Sequence, residues 1–247
     1  MFKWFRRLDI TQFVMNVVSS IIANIITSGI VVSSILRITS VINNRQFILI
    51  ISIIILISFI AVIIFIIKKR IKTFTDFRDR QKYKTVKIGK QIWMAQNLNF
   101  AGESKNIGKC YDNDFEFGDI YGRLYDWETA QNICPNGWHL PTKEEWRTLV
   151  KFVGGYNVAG NRLKTKEGWH NKGNGSDEFG FSALPGGLFR VDENKFHGMG
   201  HGGVWWSATE SGVNTAYSRG IQYDGDWAFS PNDENKKNLL SVRCVKD

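Results

Sequence analysis

The stretch CPNGWHLPTKEEW, residues 134–146, decides how the C-terminal part of the chain is read. It places a cysteine and a histidine five residues apart, and both residue types do chemistry elsewhere: a thiolate is a nucleophile or metal ligand, and an imidazole a general base. The same letters also spell a helix start. Pro135 and Gly137 shape a turn, Thr142 serves as N-cap, and Glu145 three residues later completes a capping box. Beyond it Trp146, Leu149, Val150 and Val153 recur at i, i+3, i+4 and i+7, with Lys143, Glu144, Arg147 and Lys151 on the other side. Gly154 and Gly155 end the helix. The stretch therefore reads as scaffold, with Trp138 and Leu140 as core anchors. His139 has no visible partner and is assigned no chemistry.

Outward from this helix the patterns are mixed. In TVKIGKQIWMAQNLN (85–99), Gly89 and Lys90 separate two short alternating runs, which predicts a hairpin. RLYDWETAQNIC predicts a short helix. FGFSALP (179–185), VWWSATE (204–210), AYSRGIQY (216–223), WAFS (227–230) and LLSVRCV (239–245) are strand candidates between glycines and asparagines. Asp224-Gly225 is a type I′ hairpin signal. The expectation is one α+β domain over 83–247, long enough to bury its own core.

The blocks TVKIGKQIWMAQNLN, YGRLYDWETA, CPNGWHLPTKEEW, GFSALPGG, WWSATE and SVRCVKD, in this order, closely resemble the Fibrobacter succinogenes major paralogous domain. That family is similar to C-type lectin-like and formylglycine-generating-enzyme folds, whose helix opener is close to Gly137–Trp146. The resemblance implies a lectin-like α+β fold. It also implies that Cys134 and Cys244 are the structural, bridging pair among Cys110, Cys134 and Cys244. Family members are more often surface proteins, and in a cytoplasmic domain the two cysteines would stay reduced. The copper-binding cysteine pair of formylglycine-generating enzymes has no counterpart, because Val204–Ser241 contains no cysteine.

Catalysis and cofactors are not expected. There is no G-x-S-x-G and no defensible nucleophile, base and acid set. There is no C-x-x-C, and His139, His170, His197 and His201 lack ligand spacing with the cysteines, so no metal site is assigned. HGMGHGG (197–203) puts two histidines four apart, but its glycines forbid a stable helix, and it reads as a flexible connection before a buried strand. YDNDFEFGD (111–119) looks like a calcium loop, yet Phe117 occupies the glycine position and Arg123 the twelfth, so a solvated acidic turn is expected.

Recognition remains. Trp206, Tyr217, Arg219, Tyr223, Asp224, Asp226 and Trp227 combine aromatic faces with charged groups near a tight turn. The resemblance places a ligand face in this region, before the last strand. These seven are the candidate ligand-binding residues.

The N-terminal third is different in kind. QFILIISIIILISFIAVIIFII (46–67) holds 22 uncharged residues, enough helix to cross a bilayer core of about 30 Å. Ile10–Leu36 is also uncharged but carries Ser20, Asn24 and Ser28 on one helical stripe, which suits a second span facing another helix or another copy. The expectation is a membrane hairpin over 1–67, with spans 10–36 and 46–67, a basic juxtamembrane linker over 68–82, and the lectin-like domain beyond.

Of the net charge of +9, residues 1–90 contribute +12 and residues 91–247 contribute −3. The surplus thus belongs to the membrane portion and points to anionic lipid rather than nucleic acid. Lys3, Arg6 and Arg7 before the first span, and Lys68–Lys72 after the second with Arg78, Arg80, Lys82 and Lys84 beyond it, outnumber Arg37 and Arg45 between them. The positive-inside rule then puts both termini in the cytoplasm of a bacterial cell, at its inner membrane; the alternative is an external C-terminal domain. The functional expectation is a membrane-anchored, non-catalytic recognition protein binding a protein, peptide or glycan. The alternative is a membrane effector whose striped hairpin oligomerises or permeabilises the bilayer when the domain senses a trigger.

Overall fold

The computed structural model describes residues 44–247 except position 105, and the chain divides into two compact units between Phe65 and Ile66. The first predicted span and its Ser20, Asn24, Ser28 stripe lie outside the described residues. Helix α1, Asn44–Arg70, is 27 residues long and contains the whole uncharged run Gln46–Ile67. Its side chains are described only at Leu49 and from Ile51 to Ile63, and among the described residues no helix is long and apolar enough to cross a membrane.

The second unit is a mixed α+β domain. β1 (Ile71–Thr75), β2 (Lys82–Ile88), β3 (Gln91–Met94), β12 (Val245–Lys246) and β5 (Trp138–His139) form one antiparallel sheet in the order β1-β2-β3-β12-β5. β10 (Ala228–Asn235), β9 (Thr215–Gln222), β8 (Gly202–Gly212), β11 (Leu240–Ser241) and β4 (Leu124–Tyr125) line up in the second, to which β6 (Gly186–Arg190) and β7 (Lys195–Met199) attach through β8. Four short helices complete it: α2 (Phe115–Tyr121), α3 (Trp127–Asn132), α4 (Lys143–Phe152) and α5 (Tyr156–Leu163).

The expected hairpin is β2–β3, and the helix expected from the opening stretch is α4. The α4 capping box is complete: Glu145 N–H donates to Thr142 Oγ1 at 3.3 Å, and the Thr142 N–H donates to Glu145 Oε2 at 2.8 Å. Trp146, Leu149 and Val153 are buried, as the spacing requires. The Trp146 ring meets Trp93 at 4.8 Å, Phe181 at 6.2 Å and Trp205 at 6.4 Å between centroids. This aromatic cluster is the centre of the larger core.

Arg243 lies wholly buried beside it, with its guanidinium 4.4 Å from the Phe181 ring centroid. It donates to Asn97 Oδ1 at 2.7 Å and to the carbonyls of Phe181 and Ser182. Burial pushes its pKa down to about 9, with only Asp177 opposing. Neutral acceptors satisfy its N–H groups, which is what keeps a buried cation tolerable.

Five expectations are corrected. The linker over 68–82 is in large part structure: β1 pairs with β2 from Ile71↔Val86 to Thr75↔Lys82, and the turn is closed by Arg78 donating to a buried Asp76. FGFSALP is no strand. Ser182 adopts φ 53 and its N–H and hydroxyl both donate to Asp177, so a side chain takes the place of a ladder partner.

HGMGHGG is only partly a connection, since His197–Met199 end β7. The acidic turn contains helix α2, whose N-cap Asp114 accepts from Glu116 N–H at 2.9 Å. The Asp224-Gly225 hairpin is not a two-residue turn either, for reasons given next.

Candidate ligand-binding face

β9 and β10 are joined by five residues, Tyr223–Trp227, and neither Asp224 nor Gly225 takes the positive φ that a type I′ turn needs. The loop is held from below instead. Lys164 at the end of α5 is almost wholly buried, and its Nζ donates to the carbonyls of Gly225 at 2.9 Å and Gln222 at 3.4 Å. Burial lowers the Lys164 pKa, against the attraction of Asp226 and Asp224. Two glycines let the loop settle. A Cβ at Gly160 would collide with the Trp227 and Asp226 carbonyls, and one at Gly173 with that of Tyr223. Asn161 adds two contacts to Asp226, its N–H to the carbonyl at 3.2 Å and its Nδ2 to Oδ1 at 3.3 Å.

A loop pinned by its backbone leaves its side chains free to face outward. Asp224 and Asp226 are exposed. The indole of Trp227 stacks on Tyr156, with centroids 6.2 Å apart and planes 17° from parallel, and the two rings remain 37% and 45% exposed. At the other end of the loop, Tyr223 meets His170 and His201 edge to face at 5.5 and 5.1 Å. The two imidazoles lie 4.3 Å apart. His170 is carried by a 3-10 turn in which Asn171 and Lys172 both have positive φ, and His201 Nδ1 approaches the Met199 carbonyl at 3.1 Å.

Of the seven expected residues, the structure brings Tyr223, Asp224, Asp226 and Trp227 together on this loop. Tyr217 and Arg219 lie elsewhere, along β9: Lys143 Nζ sits 3.9 Å over the Tyr217 ring, and Arg219 is buried, donating to the Ser218 carbonyl. Burial lowers the Arg219 pKa against the pull of Tyr217 and Glu144.

Trp206 is a correction. It has no exposed surface, and its indole N–H donates to the Tyr125 carbonyl at 2.7 Å, so it belongs to the core. Alternation along β8 does not separate it from Trp205, because β8 is buried on both faces from Gly202 to Ser207. Tyr156, His170 and His201 also border the loop, and they come from α5, a 3-10 turn and the β7–β8 turn, which sequence does not bring together.

Cys134 and Cys244 are bonded, tying the loop after α3 to the segment before β12. Cys110 is a buried free thiol whose pKa is raised by burial, against the opposing charge of Arg123. Among the described residues no group of three or more His, Cys, Asp or Glu side chains is placed to hold a metal ion.

A disulfide-tied α+β domain with an exposed aromatic and carboxylate ledge is the class of protein these features define. Residues 86–246 match the Fibrobacter succinogenes major domain, and the chain belongs to that family. No curated protein and no solved structure matches it.

Proposed function

We propose that the chain is a membrane-anchored, non-catalytic recognition protein that binds a protein, peptide or glycan through the Tyr223–Trp227 ledge. The observation that carries this reading is the open Tyr156–Trp227 stack beside the exposed carboxylates of Asp224 and Asp226. Rigid aromatic faces supply contact area at low entropy cost, and carboxylates accept from hydroxyl, amide or ammonium donors. The lectin-like relationship suggested by the family blocks supports the same place, before the last strand.

The anchor is α1. At 1.5 Å per residue its 27 residues reach about 40 Å, and it is apolar on every side, with Lys68, Lys69 and Arg70 at its end. The cation count favours a cytoplasmic domain, but β1 begins at Ile71, so Lys72, Arg78, Arg80, Lys82 and Lys84 belong to a folded unit. Charges in folded domains weigh little in orientation. Three flanking cations then remain at Lys68–Arg70, against Arg37 and Arg45 on the other side of α1. The Cys134–Cys244 bond favours an oxidising compartment. We therefore place the domain on the external side.

The test is a screen of the detergent-solubilised full chain against arrayed glycans and peptides, repeated with Trp227→Ala and Tyr156→Ala. Both variants are expected to lose the bound class. Binding that survives in both at the wild-type level would move the site off this ledge.

A further inference from the structure

The Trp227 indole lies against Gly225, where an added Cβ would sit 2.2 Å from its Nε1. The ring is thus laid across the residue that separates Asp224 from Asp226, and both carboxylates start one residue from its seat. Both acids are exposed, and the ion pairs among the described residues include neither. The donors beneath them are spent. Asn161 gives its Nδ2 to Asp226 Oδ1 at 3.3 Å, and Lys164 gives its Nζ to the Gly225 and Gln222 carbonyls. The loop therefore shows solvent two carboxylates, which only accept, beside the half-open rings of Tyr156 and Trp227.

The domain covers other aromatic rings with its own cations. Lys143 lies over Tyr217 at 3.9 Å, Lys109 over Phe189 at 4.3 Å and Lys236 over Trp127 at 4.5 Å. Among the described residues no Lys or Arg is placed in this way over Tyr156 or Trp227. A ring face and a carboxylate both attract a cation, and at this ledge both are unfilled. A sugar fits less well, since each of its hydroxyls accepts as well as donates and the two carboxylates offer it no donor.

We propose that the ledge takes an arginine-bearing peptide segment, the guanidinium laid on the Tyr156–Trp227 rings with its N–H groups donating to Asp224 and Asp226; this rests on the recognition reading above and names its ligand class. Arginine suits the ledge better than lysine, because its planar group stacks on a ring and presents its donors in a fork that matches carboxylates.

The test follows the fluorescence anisotropy of a labelled glycine–serine peptide carrying two arginines, or two citrullines in their place, against the full chain in a non-ionic detergent. Citrulline keeps the shape and removes the charge. The arginine peptide is expected to bind about tenfold more tightly than the citrulline peptide, and Asp224→Asn combined with Asp226→Asn to remove that difference. The new amides keep the oxygen that Asn161 bonds, so the loop stays seated. Glu116→Gln combined with Glu128→Gln removes the same charge from two exposed sites elsewhere and should leave binding unchanged. Gly225→Ala keeps both carboxylates but displaces the indole, and should also weaken the arginine peptide. Equal binding of the two peptides, an equal loss in the Glu116, Glu128 variant, or full binding by Gly225→Ala overturns the arginine site. So does a failure of the arginine peptide to bind, and the ledge then stands if an arrayed ligand of another class is captured and is lost in Trp227→Ala. An arginine peptide held equally by the wild type, Trp227→Ala and Tyr156→Ala overturns the ledge, and the arginine site with it.

Discussion

His139 Nε2 lies 2.8 Å from Oε1 of Glu145, whose other carboxylate oxygen closes the capping box of α4, and His139 Nδ1 lies 2.6 Å from Asp247. One imidazole thus joins a helix start to the C-terminal residue. Burial alone would lower the His139 pKa, but the bonds to Asp247 and Glu145 outweigh it and the net effect is upward from 6.5. Burial alone would raise Glu145, but Thr142 and His139 outweigh it and the net effect is downward from 4.5.

These shifts set the sign of a pH dependence. The raised histidine contributes stability that is full below pH 6.5 and is lost as pH rises through the folded pKa, while the lowered Glu145 contributes stability above pH 4.5 that is lost on acidification. Their joint contribution is greatest between the two. The imidazole is 40% exposed, so solvent screening holds the pair to about 0.5 kcal/mol. Thermal unfolding of His139→Gln across this range is expected to show a flatter profile than the wild type. Identical profiles would remove the clamp from the account.

Two tryptophans of one chain segment should separate stability from binding. Trp206→Ala empties a fully buried site and leaves the Tyr125 carbonyl without its donor, so a loss of about 3–5 kcal/mol is expected in denaturant unfolding. Trp227→Ala removes a half-open ring stacked on Tyr156, for about 1 kcal/mol. Only the second should abolish ligand capture by a well-folded protein. A Trp227→Ala variant as unstable as Trp206→Ala would make the ledge part of the core.

Lys164 is the post under the ledge. Lys164→Met keeps the stem but leaves the Gly225 and Gln222 carbonyls without their donor, at a cost of about 1–3 kcal/mol. Hydrogen exchange should accelerate at Asp224–Trp227 well before the buried strands β8 and β9 respond. Unchanged exchange in the loop would show that Gly160 and Asn161 suffice to hold it.

Local signals carried much of this. The capping box, the apolar spacing after it and the Gly89 turn are each complete within a dozen residues, and α4 and the β2–β3 hairpin followed from them. What sequence could not supply was non-local. The β1 strand hides in a basic stretch because its pairing partner, not its composition, makes it a strand. Asp224-Gly225 reads as a tight hairpin until a lysine 61 residues before Gly225 takes the loop carbonyls. His139 shows no partner in the sequence because one of its two carboxylates, Asp247, stands 108 residues away. The ledge was half legible: its loop residues share one segment, whereas Tyr156, His170 and His201 reach it from three others.

The Cys134–Cys244 bond gives the last prediction, because it reports both stability and the side of the membrane. The bond closes a sequence separation of 110 residues, and a loop of that size restricts the unfolded chain enough for a disulfide to contribute about 2–4 kcal/mol. Reduction should therefore lower the midpoint of denaturant unfolding without changing the fold. In cells lysed into an acidic denaturant, which stops thiol–disulfide exchange, a thiol-directed mass tag added without reduction should find one thiol, that of Cys110, and after prior reduction three. One reactive thiol supports an external domain, for glutathione would reduce the pair in the cytoplasm. Three thiols without reduction would return the domain to the cytoplasmic side that Lys68–Arg70 favour, with Cys134 and Cys244 packed as ordinary buried residues.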